Sequence, residues 1–133
     1  MISLFFVFSD WALLLIRLVL GVILIMHGVP KLQDIKQTAK QFASMGFTPG
    51  AFWGVIVGLV EVFGGIGIAI GLLTQPLALL VFVQFIVILL FVKRGESLMK
   101  IETDLLILAS AAILTTVGSG ALSVDQVLNI LLY

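Results

Sequence analysis

The chain has 133 residues, 62% of them hydrophobic and 11% charged, against roughly 45–50% apolar and about 25% charged in soluble domains. A chain this short cannot hide so much apolar surface in one water-soluble core, and its mean hydropathy of +1.32 points to lipid as the solvent. A formal charge of zero gives no electrostatic case for nucleic acid; the absence of cysteine excludes disulfides, thiolate zinc sites and iron–sulfur clusters, and a single histidine excludes bis-histidine haem held by one copy.

The first ten residues, MISLFFVFSD, carry no Lys or Arg and no small-residue cleavage site, so the N-terminus is expected to be retained. Four later segments approach the roughly 20 apolar residues that a spanning helix needs. The first is 11–29, with Asp10 as its N-cap and Pro30 as its stop. The second is 50–73, entered through Thr48-Pro49, with Pro at the first helical position. The third is 76–92, after a tight Thr74-Gln75 turn. The fourth is 101–117, closed by Gly118-Ser119-Gly120. Between the first two, residues 31–45 place Leu32, Ile35, Ala39 and Phe42 on one side of a helix and Gln33, Lys36, Gln37 and Lys40 on the other. That pattern predicts an amphipathic helix lying along the membrane surface. Ser123-Val-Asp-Gln126 matches a capping box and predicts a last short helix over 124–132. The expected fold is therefore all-α: one domain over 1–133, an antiparallel four-helix transmembrane bundle with an interfacial helix between helices 1 and 2.

Basic residues set the orientation. Lys31, Lys36 and Lys40 lie between the first and second spans, and Lys93, Arg94 and Lys100 between the third and fourth. The positive-inside rule puts these loops in the cytoplasm and both termini outside.

Ionisable groups inside spans are costly and usually face a partner in the bundle. Counting about 1.5 Å per residue from the outer ends puts Arg17 roughly 10 Å deep, Glu61 roughly 18 Å and Gln84 roughly 12 Å. An arginine side chain spans that difference, so Arg17 is expected to pair with Glu61, with Gln84 nearby. A second polar set groups His27 and Lys31 with Glu102 and Asp104, and a Lys31 pair with either acid closes the cytoplasmic end. His27 is a candidate proton carrier, with a hydrogen-bonded structural role as the alternative. The Arg17–Glu61 layer either fixes helix register or binds a polar headgroup such as a quinone carbonyl. Gly54-xxx-Gly58 and Gly67-xxx-Gly71 allow close helix contact, and Gly64-Gly65 thin the wall beside Glu61. No metal site is expected.

Arg17-xxx-Gly21, His27-Gly28-xx-Lys31-Leu32, Glu61-xx-Gly64-Gly65, Gly71, Glu102 and Gly118-x-Gly120-xx-Ser123-x-Asp125 together resemble the DoxX family of small bacterial membrane proteins. The resemblance runs from about Arg17 to Asp125. It departs at Lys93-Arg94-Gly95-Glu96, where many relatives carry a histidine or an aromatic-rich stretch. The resemblance implies a multi-pass protein of the bacterial cytoplasmic membrane, linked to quinone-coupled oxidoreductase systems. On that reading the chain binds a quinone or lipid-like ligand near the intramembrane pair, has no covalent cofactor, and takes electrons from another membrane subunit or a soluble redox partner, with a homo-oligomer as a further option. The alternative is a non-enzymatic scaffold, anchor or assembly subunit; a small-molecule carrier ranks last, because no internal repeat is visible.

Overall fold

The computed structural model describes residues 4–129. It is helical, with no strand among those residues. After a 3-10 turn at Phe6–Phe8 come α1 (Ser9–Gln33), α2 (Ile35–Ser44), α3 (Gly50–Ile70), α4 (Thr74–Val87), α5 (Leu98–Val117) and α6 (Val124–Val127). α4 continues through Ile88–Val92 as one π-helical turn, in which the Lys93 N–H donates to the Ile88 carbonyl. Among the described residues three helical stretches, Phe6–Gln33, Gly50–Ile70 and Thr74–Val92, are long and apolar enough to cross a membrane. α5 has 20 residues but carries Lys100, Glu102 and Asp104 in its first turns.

Several helix ends differ from expectation. α1 does not stop at Pro30. Proline has no N–H to give the Met26 carbonyl, but that costs one backbone bond and α1 continues to Gln33. The break falls at Asp34 (φ −131°, ψ 80°), whose carboxylate accepts the Gln37 N–H at 3.1 Å and caps α2. Asp10 is not a cap either. It sits in the first turn of α1, and its Oδ1 accepts the Ala121 N–H at 2.9 Å from the far end of the chain. α3 ends at Ile70 because Gly71 takes φ +77° and closes a Schellman turn, with Leu72 N–H donating to Gly67 O at 2.8 Å. Leu73, at φ +51°, then reverses the chain, and Thr74 and Gln75 are already helical. Pro49 caps α3 from just outside it. Ser123 caps α6 as expected, its Oγ accepting the Gln126 N–H at 3.2 Å. α6 ends at Val127, and the part of the expected 124–132 helix past Asn129 lies outside the described residues.

Glycine sets how closely α1 and α3 approach. A Cβ on Gly21 would stand 2.6 Å from the Gly65 carbonyl oxygen, and one on Gly65 would stand 2.7 Å from the Gly21 oxygen. Gly28 fits against Glu61 and Gly58 in the same way. Arg17, Gly21, Leu24, Gly28 and Lys31 step along α1 by four and three residues, and so share one face. Gly58, Glu61, Gly65 and Ile68 do the same on α3. α3 also packs against α4, α4 along α5, and α5 more sparingly against α1. Leu20, Leu24, Ile68, Ala78, Val81, Ile107, Ala111 and Leu114 fill the space between them. The neighbouring glycines make a sharp test. Gly65→Ala drives a methyl into backbone and should cost about 1–3 kcal/mol. Gly64→Ala meets only Val81, at 3.9 Å, and should leave the thermal midpoint in detergent unchanged.

α2 lies across the start of α3. Its buried residues are Thr38 and Phe42, while Ile35, expected on the apolar side, is exposed. The reason is the start of the helix: Asp34 caps it, and the Thr38 hydroxyl turns inward, 2.9 Å from both the Lys31 and Asp34 carbonyls. Gly54 receives the Thr38 methyl, and Gly50 lies against the Ala39 carbonyl, where a Cβ would stand 2.0 Å away.

Candidate functional site

Glu61 is 2% exposed. An unpaired buried carboxylate is prohibitive, and both of its oxygens are held. Oε2 accepts from Lys31 Nζ at 2.7 Å, and Oε1 accepts from Gln84 Nε2 at 2.8 Å. Lys31 also donates to the His27 carbonyl at 2.9 Å, one turn back on α1. The extra turn of α1 past Pro30 is what carries Lys31 to this position. An ammonium has three donors; two are used here, and the lysine side chain is 24% exposed. The Gln84 carbonyl oxygen has no donor among the described residues and keeps its acceptor capacity.

These groups form the polar end of a cavity of about 550 Å³. Its walls are largely apolar and aromatic, including Phe47, Trp53, Ile56, Val60, Val83 and Phe85. Phe47 and Trp53 meet edge to face, with centroids 6.4 Å apart. A second ion pair, Lys93–Asp104, also lines it, at 2.5 Å, with Asp104 buried and Lys93 half-exposed. A cavity of this size with a few convergent polar groups has the usual form of a small-molecule site.

The expected Arg17–Glu61 pair does not form. The packing of Gly21 on Gly65 and of Gly28 on Gly58 fixes the α1–α3 register, and it puts Arg17 opposite Gly71. That is ten residues along α3 from Glu61, about 15 Å at 1.5 Å per residue. Depths counted from assumed helix ends hid this offset. Arg17 is fully buried and its Nη2 donates to the Leu122 carbonyl. The Asp125 carboxylate, also fully buried, attracts it electrostatically. Asp125 in turn caps α4, accepting the Leu73 N–H at 2.7 Å and the Thr74 N–H at 3.0 Å. Gly71 has no side chain because the guanidinium lies there: a Cβ would stand 1.8 Å from Nη1. Arg17 therefore belongs to a clamp that folds residues 118–125 over one end of the helices.

The second polar set also sorts differently. Lys31 takes Glu61 and neither helix-5 acid; Asp104 takes Lys93, and Glu102 is exposed. His27 lines the cavity, with Nδ1 2.8 Å from the Ile23 carbonyl. Taking Nδ1–H as the donor leaves Nε2 as an acceptor in the neutral ring. Among the described residues no three His, Asp or Glu side chains converge as metal ligands. Sequence reasoning missed Lys93, Trp53 and Asp125 as site or clamp residues. The signal for the Lys31–Glu61 pair was present: Gly28-xx-Lys31 and Gly58-xx-Glu61 repeat one spacing on two antiparallel helices.

Long apolar helices, tight glycine contacts and a buried carboxylate paired inside the protein define an integral membrane protein with a polar site within its helices. A family model described as DoxX matches residues 12–94, and the chain belongs to the DoxX family. The matched region holds Arg17, His27, Lys31, Glu61, Gln84 and Lys93, but not α5 or the 118–125 segment. A protein of Bacillus subtilis (strain 168) that bears the name "Putative oxidoreductase CatD" is 30% identical over 113 residues, 84% of this chain and 83% of that protein. No solved structure matches the chain.

Proposed function

We propose that this protein is a membrane subunit of a quinone-linked oxidoreductase system and that it binds the quinone headgroup in the Glu61 cavity. In this reading α5 is the fourth span of a bundle in the bacterial cytoplasmic membrane, α2 lies at the membrane surface, and both termini face outward. The observation that carries the reading is the cavity of about 550 Å³ with aromatic walls and one polar end built from Lys31, Glu61, Gln84 and His27. Lys31 offers an N–H to a ligand oxygen, the Gln84 carbonyl accepts from a hydroxyl, and the aromatic walls take the ring. The printed name of the 30% identical relative agrees with redox work. A bound quinone supplies two-electron, two-proton chemistry; this chain binds and orients it, and Glu61 with Lys31 holds protons beside it. The chain has no cysteine, so electrons come from another subunit or a soluble enzyme.

Trp53 gives the test. It lines the cavity, and the only other tryptophan is Trp11. In a Trp11→Phe background, a short-chain benzoquinone should quench Trp53 fluorescence saturably, and Gln84→Leu should weaken binding by about tenfold, one lost hydrogen bond. Quenching that is linear in quinone, or unchanged by Gln84→Leu, counts against the reading.

A scaffold role is the second reading. It is favoured by the exposed α1 stripe of Leu15, Val19, Val22 and Met26, a face that suits either lipid or another helix.

A further inference from the structure

The inward-facing residues of α1, α3, α4 and α5 fall into layers along their common axis. At one end lie Lys31, Glu61, Gln84 and Asp104, around the cavity. At the other lie Arg17, Gly71, Thr74 and Asp125, closed over by residues 118–125. Between the two polar layers stand Leu20, Leu24, Ile68, Val81, Ala111 and Leu114, none more than 2% exposed. Gly21 and Gly65 meet in the same stretch with no room for a methyl group. A water molecule needs two to four polar partners, and the side chains of this stretch offer none.

Apart from Glu61 and Gln84 themselves, the charged and polar side chains that line the cavity come from the opposite direction. Lys31 and His27 belong to the last turns of α1, Gln41 to α2, Lys93 to the turn after α4 and Asp104 to the first turns of α5. The half-exposed Lys93 and the 24% exposed Lys31 set charged groups at that end of the cavity. Glu61 is thus joined to one aqueous side by polar side chains and cut off from the other by hydrocarbon.

We infer that the Lys31–Glu61–Gln84 site exchanges ligand and protons with a single membrane face, the face bearing the 34–49 and 93–97 connections. From the proposal above this takes only that the cavity is the ligand site. A ligand that gains protons there draws them from that face, and the protein does not pass its ligand across the membrane.

The chain has no cysteine, so single introduced thiols report access directly. Val60→Cys places one on the cavity wall; Gln37→Cys on α2 and Ala121→Cys in the clamp segment are exposed controls for the two faces. The probe is a membrane-impermeant trimethylammonium methanethiosulfonate, applied to sealed vesicles of each orientation. Val60→Cys should react from the Gln37 face at least tenfold faster than from the Ala121 face. Should Val60→Cys fold poorly, Val57→Cys, one turn nearer the opening, replaces it. Reaction from the Ala121 face at a similar or higher rate overturns the inference. So does reaction from neither face, or Gln37→Cys and Ala121→Cys reacting from the same face. A failure of quinone to bind leaves the labelling pattern untouched, so the two proposals fail separately.

Discussion

Lys31→Met should destabilise the protein by about 3–5 kcal/mol, the range for breaking a buried ion pair from one side. Glu61 would be left 2% exposed with a single amide donor, Gln84, and no cation to offset its charge. Glu61→Leu should cost less, about 1–3 kcal/mol, because the lysine side chain reaches the cavity and can be hydrated there. The double variant Lys31→Met/Glu61→Leu removes both charges and fills similar volume, so it should be more stable than Lys31→Met alone. Unfolding in mixed micelles under increasing denaturing detergent measures all three. Additive losses across the cycle would show that the two groups do not meet. On the proposed reading ligand binding should follow a different order: the double variant should keep its fold and still lose quinone affinity, as should either single variant.

Asp125→Ala should be comparably severe, although it lies at the other end of the molecule. The carboxylate has two tasks. It satisfies the Leu73 and Thr74 N–H groups at the start of α4, and it offsets the charge of Arg17, which is fully buried and bound to the Leu122 carbonyl. Loss of a helix cap costs about 1 kcal/mol, and an uncompensated buried cation adds several more. Asp125→Asn removes the charge but keeps one acceptor oxygen, enough for one of the two N–H groups, whereas Asp125→Ala loses the charge and the whole cap. The expected order of midpoints is wild type, then Asp125→Asn, then Asp125→Ala. Quinone binding in whichever variants remain folded should be unchanged, because the clamp and the cavity are separated by the apolar layers. A matched loss of binding in folded Asp125→Asn would contradict that separation.

Much of the fold was legible because hydrophobic length and breaker residues report directly on helices. The three long apolar helices, the presence of α5 as a helix, the short helix between the first two, the capping serine at 123 and the family resemblance all follow from local signals. Glu61 and Gln84 were legible as polar intrusions in apolar runs, and they do meet. Partner choice was not legible from depth. A stop at Pro30 cuts away the very turn of α1 that holds Lys31. Reach alone points from Glu61 to Arg17, whereas helix register is set by which glycines nest, a property of two segments together. Asp125 stood out in the sequence as the third residue of a capping box and as the last residue of the family-like motif. Its work on Leu73 and Thr74 depends on a chain reversal 52 and 51 residues away, which no local pattern encodes. The cavity is harder still to read, since its walls come from α1, α2, α3, α4 and α5 at once.

A structure of the protein determined in native lipid, with a short-chain benzoquinone added, tests the central claim most directly. The expected result is a planar density in the cavity between Trp53 and Phe85, one oxygen within hydrogen-bonding distance of Lys31 or Gln84, and Glu61 still joined to Lys31. A Glu61 carboxylate seated on Arg17, or a cavity collapsed and filled by its own side chains, would contradict it.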